Sequence, residues 1–324
     1  MNLPKDKINK RIVVLGGGTG MPVLLRGLKA LPIHLSTIVT VADDGGSTGL
    51  IRQAIETPAP GDIRNVIAAL ANVDDDLEKL FQYRFKGNNG LSGHSLGNMV
   101  LVAMSSITGD FHTAINKVAN IFQVKGNIYP VVNESITLNA EMSDGSLIAG
   151  ESNIVKAKGK KIKRVFLTPE KVSPLPNVIR EIQRADMIVI SPGSLYTSIL
   201  PNIIIPEIKN ALIESNAETV YVCNVMTQLG ETNDYMASDH IKAMFDHVGE
   251  PFIDTIIIHD SLIREDVLQK YRKEKAYPVT YDLEKLSNLG LRIIADHIID
   301  DTKQMIRHDT EKIAEILYER LLSK

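Results

Sequence analysis

The segment RIVVLGGGTGMPVLLRGLKAL, residues 11–31, holds a strand, a glycine-rich turn and a helix in immediate succession. Arg11–Leu15 is almost continuously apolar, which is typical of a parallel strand covered on both faces. Gly16–Gly20 forms the turn, and Pro22–Leu31 has apolar side chains at helical spacing. A second strand, Ser36–Ala42, follows. This β-loop-α-β start predicts an α/β fold built on a mostly parallel, doubly wound sheet.

The rest of the chain departs from a strict alternation of strands and helices. Four successive helices are predicted between residues 61 and 123, and we expect them to form a cluster over one end of the sheet. Ile136–Met142 and Leu147–Glu151 are predicted to form a small antiparallel hairpin, and the basic stretch Lys156–Arg164 a solvated loop or edge strand. Alternation resumes at Asp186–Ile190. The later strands and helices are predicted at 205–215, 219–223, 238–248, 255–258, 291–294 and 310–322.

Composition excludes several classes of protein. The chain has 324 residues, of which 44% are hydrophobic and 23% charged, as is ordinary for a globular protein. A formal net charge of -3 gives no basic field for nucleic acid or for a membrane surface. Cys223 is the only cysteine, which excludes a disulfide framework within one chain. Because no apolar stretch could span a membrane and no secretory signal is evident, we expect a cytoplasmic protein.

The first of three loops of small residues follows the first strand, where open α/β sheets bind ligands. It consists of Gly16, Gly17, Gly18, Thr19 and Gly20. Glycines let a phosphate approach the backbone, and the helix behind offers unpaired N–H groups and a partial positive charge. Met21 stands where the dinucleotide fingerprint has its third glycine, and there is no Walker lysine. We expect a phosphate or nucleotide here, with a structural turn as the alternative.

The second loop, Asp43–Gly49, follows the second strand and begins with two adjacent carboxylates. An acidic residue at this place takes ribose hydroxyls in dinucleotide-binding proteins. Asp43 and Asp44 could instead hold a divalent metal ion or a substrate hydroxyl. A polar, aspartate-rich turn is the structural alternative, but two acids and three glycines in seven residues favour a functional loop.

The third loop, Ser191–Ser198, follows a strand of the buried type. Its small residues and hydroxyls suit a second contact with a phosphate or a sugar. Ser191, Gly193 and Ser194 are therefore predicted to bind the ligand, with a structural turn as the alternative.

Two further segments supply candidate catalytic residues. Asp62 in PGDIRN, residues 60–65, lies at a helix start, where an N-cap role is as common as a functional one. His94 in GHSLGN, residues 93–98, could act as a general base, although a histidine at a helix entry is more often structural. Ser95 follows no strand, so a nucleophile elbow is not expected. The catalytic residue stays undetermined, and no metal cluster is predicted. The candidates are Asp43, Asp44, Asp62 and His94.

Near the C-terminus, Arg307 precedes the last helix. Its planar guanidinium suits two oxygens of a pyrophosphate, although a surface arginine beside a capping Asp309 or Thr310 is an equal alternative. Thr310 lies at the helix start, where an added phosphate is electrostatically favoured. Thr310 is therefore a candidate regulatory phosphorylation site.

Seven motifs together resemble the YvcK-type gluconeogenesis factors, and they span residues from about 12 to 315. They are VVLGGGTGMPVLLRGL, TVADDGGSTGLIR, PGDIRN, GHSLGN, SPGSLYTSILPN, CNVMTQLGET and IRHDTEKIA. That family is similar in fold to the 2-phospho-lactate transferases (CofD), which join a nucleotide-activated phospholactate to a deazaflavin. The resemblance implies a Rossmann-like fold and a bound UDP-sugar, notably UDP-N-acetylglucosamine. It also implies a role in cell shape and wall growth on gluconeogenic carbon sources.

Carried over by position, the resemblance implies that Thr19, Tyr271 and Arg307 contact the UDP-sugar. The acidic motif positions of the transferase branch correspond to Asp43, Asp44 and Asp62. Our first hypothesis is therefore a regulatory protein that binds a UDP-sugar, and the second is a Mg²⁺-dependent transferase of the phospholactate type. An NAD-dependent oxidoreductase is a third, disfavoured by the missing glycine.

We expect one CofD-like domain over residues 1–324. Its nucleotide-binding core covers 10–125 and 166–324, and an antiparallel element is inserted at about 126–165. The expected ligand is a nucleotide sugar, and Mg²⁺ is the one candidate cofactor. A wall-synthesis protein and a second copy of the chain are candidate partners, whereas nucleic acid and membrane insertion are not expected.

Overall fold

A computed structural model describes residues 9–87, 90–157, 160–300 and 305–323. The predictions for the first eight residues and for positions 158–159 of the basic stretch lie outside these ranges. The strands are β1 (Arg11–Gly16), β2 (His34–Val39), β3 (Asn127–Pro130), β4 (Thr137–Met142), β5 (Leu147–Ala149), β6 (Ile162–Thr168), β7 (Met187–Ile190), β8 (Glu218–Val222), β9 (Thr255–His259) and β10 (Arg292–Asp296).

Helices separate most of these strands. In chain order they are α1 (Gly20–Leu28), α2 (Gly46–Ala54), α3 (Gly61–Leu70), α4 (Asp75–Gln82), α5 (Leu96–Thr108), α6 (Phe111–Ile121), α7 (Glu151–Lys156), α8 (Pro176–Gln183), α9 (Leu200–Ile203), α10 (Pro206–Ile213), α11 (Ala237–Val248), α12 (Glu265–Lys273), α13 (Leu283–Asn288) and α14 (Thr310–Leu322). A π-helical turn, Leu195–Ile199, precedes α9. Within the described ranges, no helix is both long and apolar enough to cross a membrane.

Seven strands form the main sheet in the order β10-β9-β8-β7-β1-β2-β3, and every neighbouring pair is parallel. The chain builds outward from β1 through β2 to β3. It then returns to the other side of β1 with β7 and builds outward to β10. The strand order therefore reverses between β1 and β7, which is where such sheets open a ligand crevice. This architecture confirms the predicted doubly wound sheet.

The sheet is buried on both faces, as the apolar run of β1 predicted. Val13 and Val14 are fully buried, as are Ile188 and Val189 of the neighbouring β7. Aspartates cap several helices: the carboxylates of Asp74, Asp110 and Asp309 accept backbone N–H groups in the first turns of α4, α6 and α14. The predicted helices therefore begin where their capping residues stand.

The antiparallel element is smaller than predicted. β3 pairs in parallel with β2, with Ile128 beside Thr37, and so belongs to the main sheet. The separate sheet has three strands in the order β5-β4-β6 and covers residues 137–168. The predicted start at about 126 is thus too early, because β3, which runs from Asn127 to Pro130, lacks the continuous apolar run that marks β1 and β7. β6 is an edge strand, as the basic stretch suggested.

Helix α2 was not predicted, because the glycines at its start disfavour a helix. Tertiary contacts stabilise it instead. The Arg52 guanidinium donates to the Asp43 carbonyl at 2.8 Å and to the Ile136 carbonyl at 2.6 Å, and Ile51 is buried. The second loop is therefore a turn that leads into a helix. The prediction also lacked α7, α8, α12 and α13.

The N-terminus of α1 lies directly against the loop after β7. A Cβ atom at Gly20 would lie 2.3 Å from the Pro192 carbonyl oxygen, whereas a Cβ at Gly90 would meet nothing within 4 Å. We predict that Gly20→Ala lowers the free energy of unfolding by about 1–3 kcal/mol, the usual cost of overpacking. Gly90→Ala serves as the matched control and should leave stability nearly unchanged. Urea denaturation measures both, and equal stability of the two variants would contradict this packing.

Candidate functional site

A cleft of about 730 Å³ opens at the carboxyl ends of β1, β7 and β8. Thr19 and Gly20 line it from the loop after β1, and Gly193 and Ser194 from the loop after β7. The segment 224–228 contributes from the end of β8. The cleft therefore lies at the reversal of strand order, as the sheet topology requires.

Half of the predicted ligand residues line this cleft. They are Thr19, Gly20, Gly193, Ser194, Tyr271 and Arg307. The other predicted residues lie behind it or beside it: Gly16, Gly17, Gly18, Asp43, Asp44 and Ser191. Ser191, for example, is fully buried, and its N–H donates to the Leu15 carbonyl at 2.9 Å.

One wall of the cleft is suited to an anion. It contains the N-terminus of α1, where backbone N–H groups lack helical partners, and Thr19, whose side chain makes no capping hydrogen bond in the described chain. Arg26 and Arg307 are exposed at the same cleft. Glu274 is the one acidic residue of its described lining. Two cations and a helix N-terminus against one carboxylate favour a negatively charged ligand.

His308 also lines the cleft but adds no charge. Burial lowers the pKa of its imidazole to about 4, so the ring is neutral at pH 7. Its Nε2 lies 3.1 Å from the Cys223 carbonyl oxygen and donates to it. His308 therefore fixes the segment before α14 against the end of β8.

Two backbone donors that a phosphate would use are already engaged. The N–H of Gly18, which has a φ of +65°, donates to Asp62 Oδ2 at 2.7 Å. The N–H of Gly193 donates to Asn224 Oδ1 at 2.9 Å, and Asn224 Nδ2 returns a bond to the Gly193 carbonyl. These two N–H groups are therefore not available to an anion, whereas the N–H groups of the first turn of α1 lack helical partners.

A half-buried carboxylate cluster lies behind the glycine loop. Burial raises the pKa of Asp62 to about 6, although the Gly18 N–H opposes that rise. Burial, with the nearby charges of Asp43 and Asp62, raises the pKa of Glu151 to about 10. Glu151 shares a hydrogen bond with Asp43, and Asp44 Oδ1 accepts the Ser152 N–H at 2.8 Å. The cluster therefore holds at least one proton at neutral pH.

The carboxylate cluster does not have the geometry of a metal centre. Among the residues that the structure describes, no three His, Cys, Asp or Glu side chains are grouped as metal ligands. Mg²⁺ at these carboxylates accordingly stays a proposal for the alternative, transferase function.

His94 lies outside the cleft, at the junction of α2 and α5. Its Nδ1 is 3.5 Å from Ser47 Oγ, which also accepts the Ser95 N–H at 3.2 Å and Asn98 Nδ2 at 3.3 Å. These bonds join the starts of two helices. They give His94 a structural role, while its catalytic role remains a prediction.

Sequence reasoning missed several residues of the cleft and the cluster. Asn224 and Gln228 follow β8, so the rule that placed the other loops would have found them. Arg26 lies two helical turns after Thr19 and so on the same face of α1. Glu151 gave no signal, because only the folded chain brings it to Asp43.

Comparisons with family models, curated proteins and solved structures all give similar proteins. The family model described as "2-phospho-L-lactate transferase CofD" matches residues 12–299. A protein named "Gluconeogenesis factor" from Bacillus subtilis is 51% identical over 311 residues, which are 96% of this chain and 98% of that protein. Another of that name from Halalkalibacterium halodurans is 52% identical over 310 residues, 96% of each chain. A crystal structure of a Bacillus halodurans protein superposes with a TM-score of 0.94 at 51% identity, covering 96% of this chain and 100% of that one.

The raised pKa values make stability depend on pH. A carboxyl group whose pKa is higher in the folded state binds more protons there than in the unfolded chain. The free energy of unfolding therefore falls as the pH rises from the unfolded pKa to the folded pKa. For Asp62 and for Glu231, whose pKa is raised to about 7 by burial, this pH range ends near neutrality. For Glu151 it extends to about pH 10.

We therefore predict that the melting temperature, measured with a chelator present, continues to fall between pH 7 and 9. Glu151→Gln should raise the melting temperature at pH 9 and flatten its pH dependence. Glu284→Gln, at an exposed position on α13, is the matched control and should follow the parent protein. A steeper fall in the Glu151→Gln variant would contradict the proposed burial of this charge.

Proposed function

The chain belongs to the CofD family, among its gluconeogenesis factors, and we propose that it is a regulatory protein that binds a UDP-sugar in the cleft. The observation that supports this most is the division of the cleft into an anion-binding wall and an uncharged polar wall, the latter lined by Ser194, Asn224, Thr227 and Gln228. A volume of about 730 Å³ is within the range of small-molecule sites. A nucleotide sugar has the matching halves: a diphosphate and a set of hydroxyl and amide groups.

The diphosphate binds at the N-terminus of α1. The first-turn N–H groups and the Thr19 hydroxyl donate to its oxygens, and the Arg307 guanidinium approaches from the facing segment. Tyr271 supports this arrangement, because its hydroxyl accepts the Ile306 N–H at 3.0 Å and donates to the Ile306 carbonyl at 3.4 Å. Tyr271 thus positions the residue next to Arg307 and places an aromatic ring at the cleft.

The cellular role follows from the ligand. UDP-N-acetylglucosamine, the preferred candidate, is a precursor for wall polymers, and relatives of this chain are named gluconeogenesis factors. We propose that the protein acts in the cytoplasm. There it couples the supply of the nucleotide sugar to wall growth and cell shape during gluconeogenic growth, through a protein of wall synthesis.

A second candidate function is a Mg²⁺-dependent transferase. The carboxylates of Asp43, Asp62 and Glu151 favour it, because Asp62 is joined through the Gly18 N–H to the loop that begins the phosphate site. Mg²⁺ there would neutralise charge on a transferring group. After long incubation with Mg²⁺, a regulatory protein returns its UDP-sugar intact, whereas a transferase given an acceptor releases UDP, UMP or a joined product.

We predict that Arg307→Ala weakens binding of UDP-N-acetylglucosamine by about 1.5–3 kcal/mol, the scale for a charged hydrogen-bond partner. Isothermal titration calorimetry measures the loss. Arg292→Ala is the matched control, since Arg292 is exposed and begins β10, at the opposite end of the sheet. Equal affinity of Arg307→Ala and the parent protein would remove Arg307 from the site.

A further inference from the structure

The uncharged wall of the cleft is supported by a chain of buried hydrogen bonds. Ser194 Oγ donates to Gln228 Oε1 at 2.7 Å, and Gln228 Nε2 donates to Glu231 Oε1 at 3.0 Å. Ser194 and Gln228 line the cleft, whereas Glu231 is 5% exposed and does not. The network therefore connects a cleft hydroxyl to a carboxylate that no ligand reaches.

Glu231 is held as an acceptor. The Tyr196 N–H donates to its Oε2 at 3.0 Å, and the Thr197 hydroxyl donates to its Oε1 at 3.0 Å. An ionised carboxylate can only accept hydrogen bonds. The side-chain amide of Gln228 must therefore point its nitrogen at Glu231. This fixes the orientation of the amide and turns Gln228 Oε1 towards Ser194.

The orientation of Gln228 decides what Ser194 offers to the cleft. A serine hydroxyl has one hydrogen and two lone pairs, and here the hydrogen is committed to Gln228 Oε1. The oxygen can therefore only accept from a ligand. The neighbouring Gly193 N–H is committed to Asn224 and is not available to a ligand either. A phosphate oxygen, which accepts only, would find no partner at Ser194.

We propose that Ser194 is a specificity-determining acceptor for an O–H or N–H group of the ligand, with Gln228 and Glu231 as the residues that position it. The inference rests on the proposed function, because a UDP-sugar supplies such donors. They are present both on the sugar, as hydroxyls or an acetamide N–H, and on the uridine. The phosphate-binding wall then holds the diphosphate, and the adjoining uncharged wall reads the donor group.

The test compares UDP-N-acetylglucosamine, UDP and inorganic pyrophosphate by calorimetry at pH 8, where Glu231 is ionised because its pKa is about 7. Ser194→Ala should lower the affinity for UDP-N-acetylglucosamine about tenfold, the value of one hydrogen bond, and leave the affinity for pyrophosphate unchanged. The affinity for UDP should stay unchanged if the donor is on the sugar, and should fall equally if the donor is on the uridine. Ser194→Thr, which keeps the hydroxyl, should restore affinity.

Glu231→Gln tests the positioning role. A glutamine can donate to Gln228 Oε1, which turns the Gln228 nitrogen towards Ser194 and frees the serine hydrogen for the cleft. Because the Ser194 oxygen then accepts from Gln228 and keeps one lone pair for the ligand, the variant should lose part of the affinity that Ser194→Ala loses, while pyrophosphate binding is retained. The inference is overturned if Ser194→Ala leaves every affinity unchanged. It is also overturned if the affinity for pyrophosphate falls by the same factor, since an equal loss indicates that the substitution has distorted the loop.

Failure of the proposed function gives a different result, namely no binding of either uridine compound by the parent protein. The hydrogen-bond network is then judged without ligand, from the side-chain amide resonances of Gln228 in ¹⁵N-labelled protein. These resonances should shift in Glu231→Gln, since one amide hydrogen is bonded to that carboxylate. Unchanged resonances would overturn the positioning role.

Discussion

The pairing of β1 on both sides is the constraint on which the rest of the structure depends. Parallel partners β2 and β7 fix the register of β1, so the loops that leave β1 and β7 must emerge side by side. Gly20 and Pro192 meet at this point with no space for a side chain. The helix N-terminus behind the first loop is thereby aimed into a crevice that the loop after β7 also lines.

The hydrogen bonds behind these loops determine what the crevice can bind. Asp62 takes one N–H of the glycine turn, and Asn224 takes the N–H of Gly193. Both bonds hold the loops in place and withdraw donors from a ligand. What remains for an anion is the first turn of α1 with Thr19 and two arginines, while the adjoining loops after β7 and β8 present uncharged polar groups. A ligand with a diphosphate at one part and donors at another matches this division.

The carboxylates behind the glycine turn lie close enough for their charges to interact. The charges of Asp43 and Asp62 add to burial in raising the pKa of Glu151, and the charge of Asp43 adds to burial in raising the pKa of Asp62. Such a cluster favours protonation of at least one of its carboxyl groups.

The sequence predicted the parts of this molecule that have local signals. Continuous apolar strands and small-residue loops placed the parallel sheet and the three strand ends, and six of the predicted ligand residues do line one cleft. It could not predict β3, whose short run from Asn127 to Pro130 has no continuous apolar stretch, or α2, whose residue Arg52 bonds to carbonyl groups outside the helix. Glu151 and Glu231 were missed for the same reason: their roles depend on contacts that only the folded chain creates. The most direct test is a crystal structure of the complex with UDP-N-acetylglucosamine. Our account predicts the diphosphate at the N-terminus of α1, between Thr19 and Arg307. A diphosphate bound instead through a metal ion at Asp43 and Asp62, with the cleft empty, would contradict it.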